Sequence, residues 1–319
     1  MTIAASSRTA EEIASQPGTW RRAARLAPRC ADVLPRRGER VAVVGCGTSW
    51  FMAQSYAALR EQGGHGETDA FAASEFPHGR DYDRVLALTR SGTTTEVLDL
   101  LARLRGGTPT GAVTADPATP VRRAADAVAV LDFADEESVV QTRFATSALA
   151  LLRAHLEAED ALPAGVRPLA RAARDAERAL ADPLDGLAGG GTGVEQVTFL
   201  GTGWTYGLAL EAALKMREAA GAWTEAYPAM EYRHGPVSIT APGRAVWTFG
   251  PLPGGLADDV RGVGGTLVAA SGDGPEDLDP LADLVRAQRL AVACAVARGQ
   301  DPDRPRNLTR SVVLGPGRG

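Results

Sequence analysis

Short, almost wholly apolar runs ending in glycine or small polar residues recur along the chain, each followed by a longer segment with helical spacing. Residues 40–44 (RVAVV) and 84–88 (RVLAL) are two such runs, and residues 111–115 and 127–132 continue the series. Apolar runs of this length predict buried parallel strands, covered on both faces. Residues 49–62, the stretch after TRSGTTTE to about residue 105, and residues 139–156 read as helices. Residues 9–34 read as an amphipathic helix interrupted near Pro17. Alternation of this kind predicts an α/β layout with a doubly wound sheet.

Residues 157–194 are rich in Ala, Arg, Asp, Gly and Pro and run into GLAGGGTGVEQ, which predicts a helix and then a flexible connection. The pattern then restarts. Residues 197–200 form a strand, Gly201-Thr-Gly-Trp a turn, and residues 206–220 a helix; strands at 244–249 and 266–270 and a closing helix at 281–298 follow. The strand–glycine turn–helix unit VVGCGTSW recurs as FLGTGWTY, the mark of an internal duplication. The second half has no counterpart of TRSGTTTE. The expectation is two tandem flavodoxin-like lobes, each a doubly wound parallel sheet flanked by helices. An N-terminal helical segment (1–34) precedes a first lobe (35–160), a linker (161–194), a second lobe (195–302) and a C-terminal tail (303–319) over the active site.

The chain's 319 residues suffice for two domains, and 45% hydrophobic with 23% charged residues is an ordinary globular balance. Net charge is −5 with no concentrated basic surface, which argues against nucleic acid as a partner. No window of about 18 uninterrupted apolar residues predicts a membrane span. The start, MTIAASSRTAEEIASQP, carries acids and lacks the apolar stretch of a signal peptide. Cys30, Cys46 and Cys294 are scattered and odd in number, so neither a disulfide framework nor a metal site is expected, and a cytoplasmic location fits. Of 34 basic residues a single one is lysine, Lys215.

Two loops of the first half have the make-up of phosphate sites. Gly45-Cys46-Gly47-Thr48-Ser49 and Thr89-Arg90-Ser91-Gly92-Thr93-Thr94-Thr95 each follow a strand and open a helix. Helix starts present outward N–H groups with partial positive charge, and glycine admits close approach. In an open parallel sheet, loops of this kind meet at the carboxyl ends of the strands. Each loop taken alone is equally an ordinary capped helix start. No lysine follows the glycines and no GxGxxG is present, so neither a Walker loop nor a dinucleotide is indicated.

In the second half, Glu211, Lys215 and Glu218 stand at i, i+4 and i+7 and share one helical face. A solvated, ion-paired face is the ordinary meaning of that spacing. The lone lysine weighs against it, because arginine would serve a surface pair as well, whereas only an amine can pass on a proton. His234, in Glu231-Tyr-Arg-His234-Gly-Pro236, is a candidate acid or base. His65, His78 and His155 have no comparable context.

These motifs together resemble the double sugar-isomerase (SIS) domain proteins, and the chain is similar to the isomerase half of glucosamine-6-phosphate synthase. The matching stretches are residues 12–17 (EIASQP), 45–49, 73–76 (ASEF), 89–95, 210–218, 231–236 and 304–311 (RPRNLTRS), in order over almost the whole chain. The resemblance implies that Gly47, Thr48, Ser49, Thr89, Arg90, Ser91 and Thr94 surround a sugar phosphate. It implies that residues 138–143, with Val139 and Gln141, line the sugar. It makes Glu218 the base acting at carbons 1 and 2, places Lys215 beside it, and makes His234 the ring-opening group, often supplied across a homodimer interface. No cofactor is implied.

Two departures from the synthase stand out. No glutaminase region precedes the first lobe, so glutamine is not expected to be the ammonia source. The synthase's imine-forming lysine near the C-terminus is matched by Arg310, which forms no such imine. The expectation is an enzyme that opens and enolises an amino sugar 6-phosphate (N-acetylglucosamine 6-phosphate or glucosamine 6-phosphate), leading to dehydration, isomerisation or deamination. A non-catalytic sugar-phosphate sensor is the alternative of a different class, and a bare α/β domain without ligand is the third.

Overall fold

The computed structural model describes residues 7–184 and 194–315. They fall into two compact units. The first takes the described residues of Gly18–Glu136, Arg143–Leu169 and Thr309–Gly319; the second takes those of Met1–Pro17, Glu137–Thr142 and Ala170–Leu308.

The chain opens with α1 (Arg8–Ala14), capped by the Ser7 hydroxyl, which accepts from the Ala10 N–H, and α2 (Gln16–Leu26). The break expected near Pro17 falls at Ser15. Pro17 sits in the first turn of α2, where its missing N–H costs no hydrogen bond.

The first unit alternates β1 (Val41–Gly45), α3 (Thr48–Gln62), β2 (Thr68–Ala72), β3 (Arg84–Leu88), α4 (Thr95–Leu104), β4 (Thr110–Thr114), α5 (Val121–Ala124), β5 (Ala127–Val130) and α6 (Arg143–Ala158). Its strands are all parallel, in the order β2-β1-β3-β4-β5. Val41 stands beside Thr68 on one side and Arg84 on the other. Every residue of β1, β3 and β4 is buried, which is why these strands read as apolar runs.

The second unit contains α7 (Leu169–Ala181, from its second residue on), β6 (Gln196–Gly201), α8 (Thr205–Ala220), β7 (Trp223–Pro228), β8 (Arg244–Phe249), α9 (Leu256–Gly262), β9 (Thr266–Ala269) and α10 (Pro280–Ala297). Its strands are parallel in the order β7-β6-β8-β9. Buried Asp283 ties α10 to β8, accepting from Trp247 Nε1 at 3.0 Å and pairing with Arg286 at 2.9 Å. Burial pushes its carboxyl pKa up.

The two sheets repeat one winding, and the repeat extends to backbone detail. Gly47 and Gly203 share a positive φ, 54° and 56°. A Cβ on Gly45 would lie 2.7 Å from the Ser49 backbone carbon, and one on Gly201 would lie 2.4 Å from the Thr205 carbonyl. Each strand thus turns into its helix so tightly that only glycine fits.

The helix expected at 139–156 begins instead at Arg143. The buried carboxylate of Glu136 accepts the Arg143 N–H at 2.7 Å and starts the helix there. The glycine-rich connection, residues 185–193, lies outside the described residues. Among the described residues no helix is long and apolar enough to cross a membrane.

Candidate active site

In the first unit, the β1–α3 turn buries Thr48 and Ser49. Burial, with Glu96 nearby, pushes the Cys46 thiol up to about 11. It therefore stays protonated at neutral pH and is no nucleophile.

The loop after β3 is fixed by its neighbour strand, with the Thr89 N–H donating to Val113 O at 3.0 Å and Ala115 N–H to Arg90 O at 3.1 Å. Gly92 has φ of 62°, and a Cβ there would lie 2.1 Å from the Thr119 hydroxyl. The Ser91 hydroxyl accepts from Thr93 N–H and Oγ1 at 3.3 and 3.0 Å. The Thr89 hydroxyl is buried with no hydrogen-bond partner. Thr94 caps α4 by position, yet its side chain makes no capping bond.

Arg90 is committed differently. Its guanidinium is buried, pairs with the buried Glu136 at 3.3 Å, and donates to Arg310 O at 3.0 Å. Arg310 reaches Asp135 at 2.5 Å and also donates to the Glu136 carbonyl. Tail residues 310–314 thus lie along the 89–95 loop. Val312 O accepts the Thr95 N–H at 3.2 Å, and Ser311 and Thr93 hydroxyls meet at 2.9 Å. Glu136 was missed in the sequence because it stands among acids in ADEES, where nothing marks one as buried.

In the second unit, the face shared by Glu211, Lys215 and Glu218 is interior, which removes the solvated-face reading. Side-chain exposure is 0% for Glu211, 1% for Lys215 and 19% for Glu218. Lys215 Nζ lies 2.5 Å from Glu218 Oε2 and 3.5 Å from Glu211 Oε1. One ammonium therefore serves two carboxylates, and the partly exposed one is Glu218. Ionic groups are kept this deep when each meets an opposite charge.

His234 ends a 3₁₀ turn, Glu231–His234, and is exposed. Tyr232 fastens the turn through a 2.6 Å hydroxyl contact with Thr240, and Arg233 pairs with Asp259 at 2.6 Å. Segment 137–142 runs without regular structure; Val139 and Gln141 are half-buried, and the Gln141 side-chain oxygen has no hydrogen-bond partner. Glu12 had a place in the matching stretch 12–17 but no role; its buried carboxylate holds that segment.

Two parallel sheets of matching strand order, flanked by helices, define the fold of the phosphosugar isomerases of the sugar-isomerase type. The crystal structure of glucosamine-6-phosphate deaminase from Thermotoga maritima matches with a TM-score of 0.77 over 97% of this chain and 100% of that one, at 24% identity. Tagatose-6-phosphate ketose/aldose isomerase from Escherichia coli matches with a TM-score of 0.74 over 100% and 99%, at 20% identity. At these identities the likeness is one of fold. No family model matches the chain. In sequence, the chain is similar to part of the glutamine–fructose-6-phosphate aminotransferase (isomerizing) of Methanothermobacter thermautotrophicus, 30% identical over 307 residues. That alignment takes in 86% of this chain and 52% of the relative, so the chain spans about half the length of the curated relatives it matches.

Proposed function

We propose that this protein is a phosphosugar enzyme that opens an amino sugar 6-phosphate and enolises it by removing the proton on carbon 2. Glucosamine 6-phosphate and N-acetylglucosamine 6-phosphate are the substrates in this reading. The observation that carries it is the buried triad on α8, in which the chain's lone lysine sits between Glu211 and the partly exposed Glu218. Glu218 is the base. Lys215, at 2.5 Å, pairs with it and can donate a proton and take it back as the enolate forms and is reprotonated. His234 helps open the ring. Its exposure on a fastened turn supports supply to a second copy of the chain, so the reading includes a homodimer.

The phosphate is assigned to the loops at the ends of β1 and β3, through Gly47, Thr48, Ser49, Thr89, Ser91 and Thr94. The partnerless Thr89 hydroxyl supports this, as does the Thr94 hydroxyl left unused by its helix. Arg90 acts in this reading through Glu136 and the tail, shaping the loop.

The fate of the enolate sets the product. Reprotonation at carbon 1 gives the ketose. A free 2-amino group allows that route to end in hydrolytic loss of ammonia, whereas a 2-acetamido group favours expulsion of the carbon-3 hydroxyl. Arg310 argues against the aminotransferase route, since a guanidinium forms no imine with a ketose and this one is held by Asp135.

The test is Glu218→Gln. Turnover of glucosamine 6-phosphate or N-acetylglucosamine 6-phosphate should fall by about 10²–10⁴-fold, with calorimetric affinity nearly unchanged. A wild-type protein that binds both sugars and converts neither is a sensor, and the enzyme reading fails.

A further inference from the structure

Segment 137–142 lacks secondary structure, yet it is braced from two sides, by the buried Glu12 carboxylate and by the Asp303 main-chain carbonyl. Glu12, 4% exposed on α1, takes the Glu137 N–H at 2.6 Å and the Ser138 N–H at 3.3 Å on Oε1, and the Ser138 hydroxyl on Oε2. Two consecutive backbone N–H groups of this kind make an anion nest. Here the anion filling the nest is the protein's own carboxylate. One residue further, the Val139 N–H donates to Asp303 O at 3.2 Å. The Asp303 carboxylate returns to α1, accepting the N–H groups of Arg8 and Thr9 at 2.9 and 2.8 Å and the Thr9 hydroxyl at 2.7 Å. The connections close a ring from α1 through Asp303 and Val139 to Ser138 and back to Glu12. On its inner side, Val140 and Thr142 share a cavity of about 10 Å³ with Lys215, Thr9 and Ile13. The segment thus borders the same cavity as the lysine of the triad.

We infer that Glu12 is a positioning residue: by gripping Ser138 it sets the backbone that presents Val139 and Gln141, and so governs affinity for the sugar portion of the ligand and not for its phosphate. A carboxylate is seldom buried unless its oxygens are satisfied, and this one takes two backbone N–H groups on Oε1 and the Ser138 hydroxyl on Oε2. Loss of Glu12 leaves the Ser138 N–H without its acceptor in the interior, which the segment relieves by moving. The inference rests on the functional reading for the sugar contact, and on the geometry alone for the brace.

The experiment compares wild type, Glu12→Ala and Glu12→Gln in the full chain. Amide hydrogen exchange over residues 137–142 reports the brace. Calorimetric Kd values for glucosamine 6-phosphate and for inorganic phosphate report its consequence. Glu12→Ala should speed exchange at Ser138 and Val139 about tenfold or more and weaken glucosamine 6-phosphate by about tenfold, leaving inorganic phosphate within about twofold. Glu12→Gln keeps an oxygen for the two N–H groups and should recover most of both effects. Unchanged exchange in Glu12→Ala overturns the inference, as does an equal loss of affinity for both ligands. Should Glu12→Ala not fold, Ser138→Ala removes the hydroxyl that Glu12 Oε2 accepts and must shift the same readouts in the same direction, or the inference fails. A wild-type protein that binds no sugar phosphate defeats the functional reading instead, and exchange alone then decides the brace.

Discussion

Lys215→Met removes the cation from the α8 triad while keeping the length of the side chain. In the wild type, Nζ faces Glu218 at 2.5 Å and Glu211 at 3.5 Å, and Glu211 is wholly buried. The variant leaves the buried Glu211 carboxylate without that ammonium. Removing one member of a buried ion pair costs about 3–5 kcal/mol, most of it the penalty on the charge left behind. For a unit of this size that corresponds to a fall in Tm on the order of 10 °C. Urea denaturation followed by tryptophan fluorescence is the direct assay, because Trp204 and Trp247 lie buried in the same unit. If charge is the cause, the double variant Glu211→Gln with Lys215→Met should regain more than half of the loss, the coupling expected of residues in contact. A Lys215→Met protein within about 0.5 kcal/mol of wild type, as for an ordinary surface substitution, refutes the burial argument. A double variant as unstable as the single one moves the cause from charge to packing.

Thr89→Val removes a buried hydroxyl that has no partner, so Tm should hold or rise. Calorimetric affinity for inorganic phosphate should nonetheless drop about tenfold, as for loss of one hydrogen bond to a charged group. Gly201→Ala should destabilise by about 2 kcal/mol or more in denaturant, because its Cβ would sit 2.4 Å from the Thr205 carbonyl. His65 is fully buried, and burial, with Arg60, His155 and Arg37, lowers its pKa from 6.5 to about 4. Because the folded pKa lies below the unfolded one, its contribution is intact above pH 6.5 and is lost as pH falls toward 4. The loss is about 3 kcal/mol at its limit. The stability-versus-pH slope between pH 7 and 4.5 should therefore be shallower in His65→Asn than in wild type, and equal slopes would contradict it.

The central strands were legible because β1, β3 and β4 are buried on both faces and so are written as apolar runs. Edge strands β2 and β7 escaped the same reading. TDAFA and WTEAYP are half-exposed and mix polar with apolar residues, so no period stands out. The duplication was readable because a Gly-x-Gly pair at the end of a strand has a steric cause, which the matching φ values display. Spacing put Glu211, Lys215 and Glu218 on one face, but only packing shows that this face is interior. Glu136, and the role of Glu12, were beyond reach, since their work is to hold backbone N–H groups distant in sequence or begin a helix, and such partners leave no local pattern.

In the proposed function, Glu218 removes the carbon-2 proton of an amino sugar 6-phosphate. Proton NMR in D₂O tests it, with glucosamine 6-phosphate and N-acetylglucosamine 6-phosphate in separate samples. The account predicts loss of the carbon-2 proton signal with wild type and its persistence with Glu218→Gln. Accompanying signals name the product: a vinyl proton for dehydration, ketose resonances with ammonium for deamination. Retention of the carbon-2 proton in both sugars, under conditions where calorimetry shows them bound, would contradict the account.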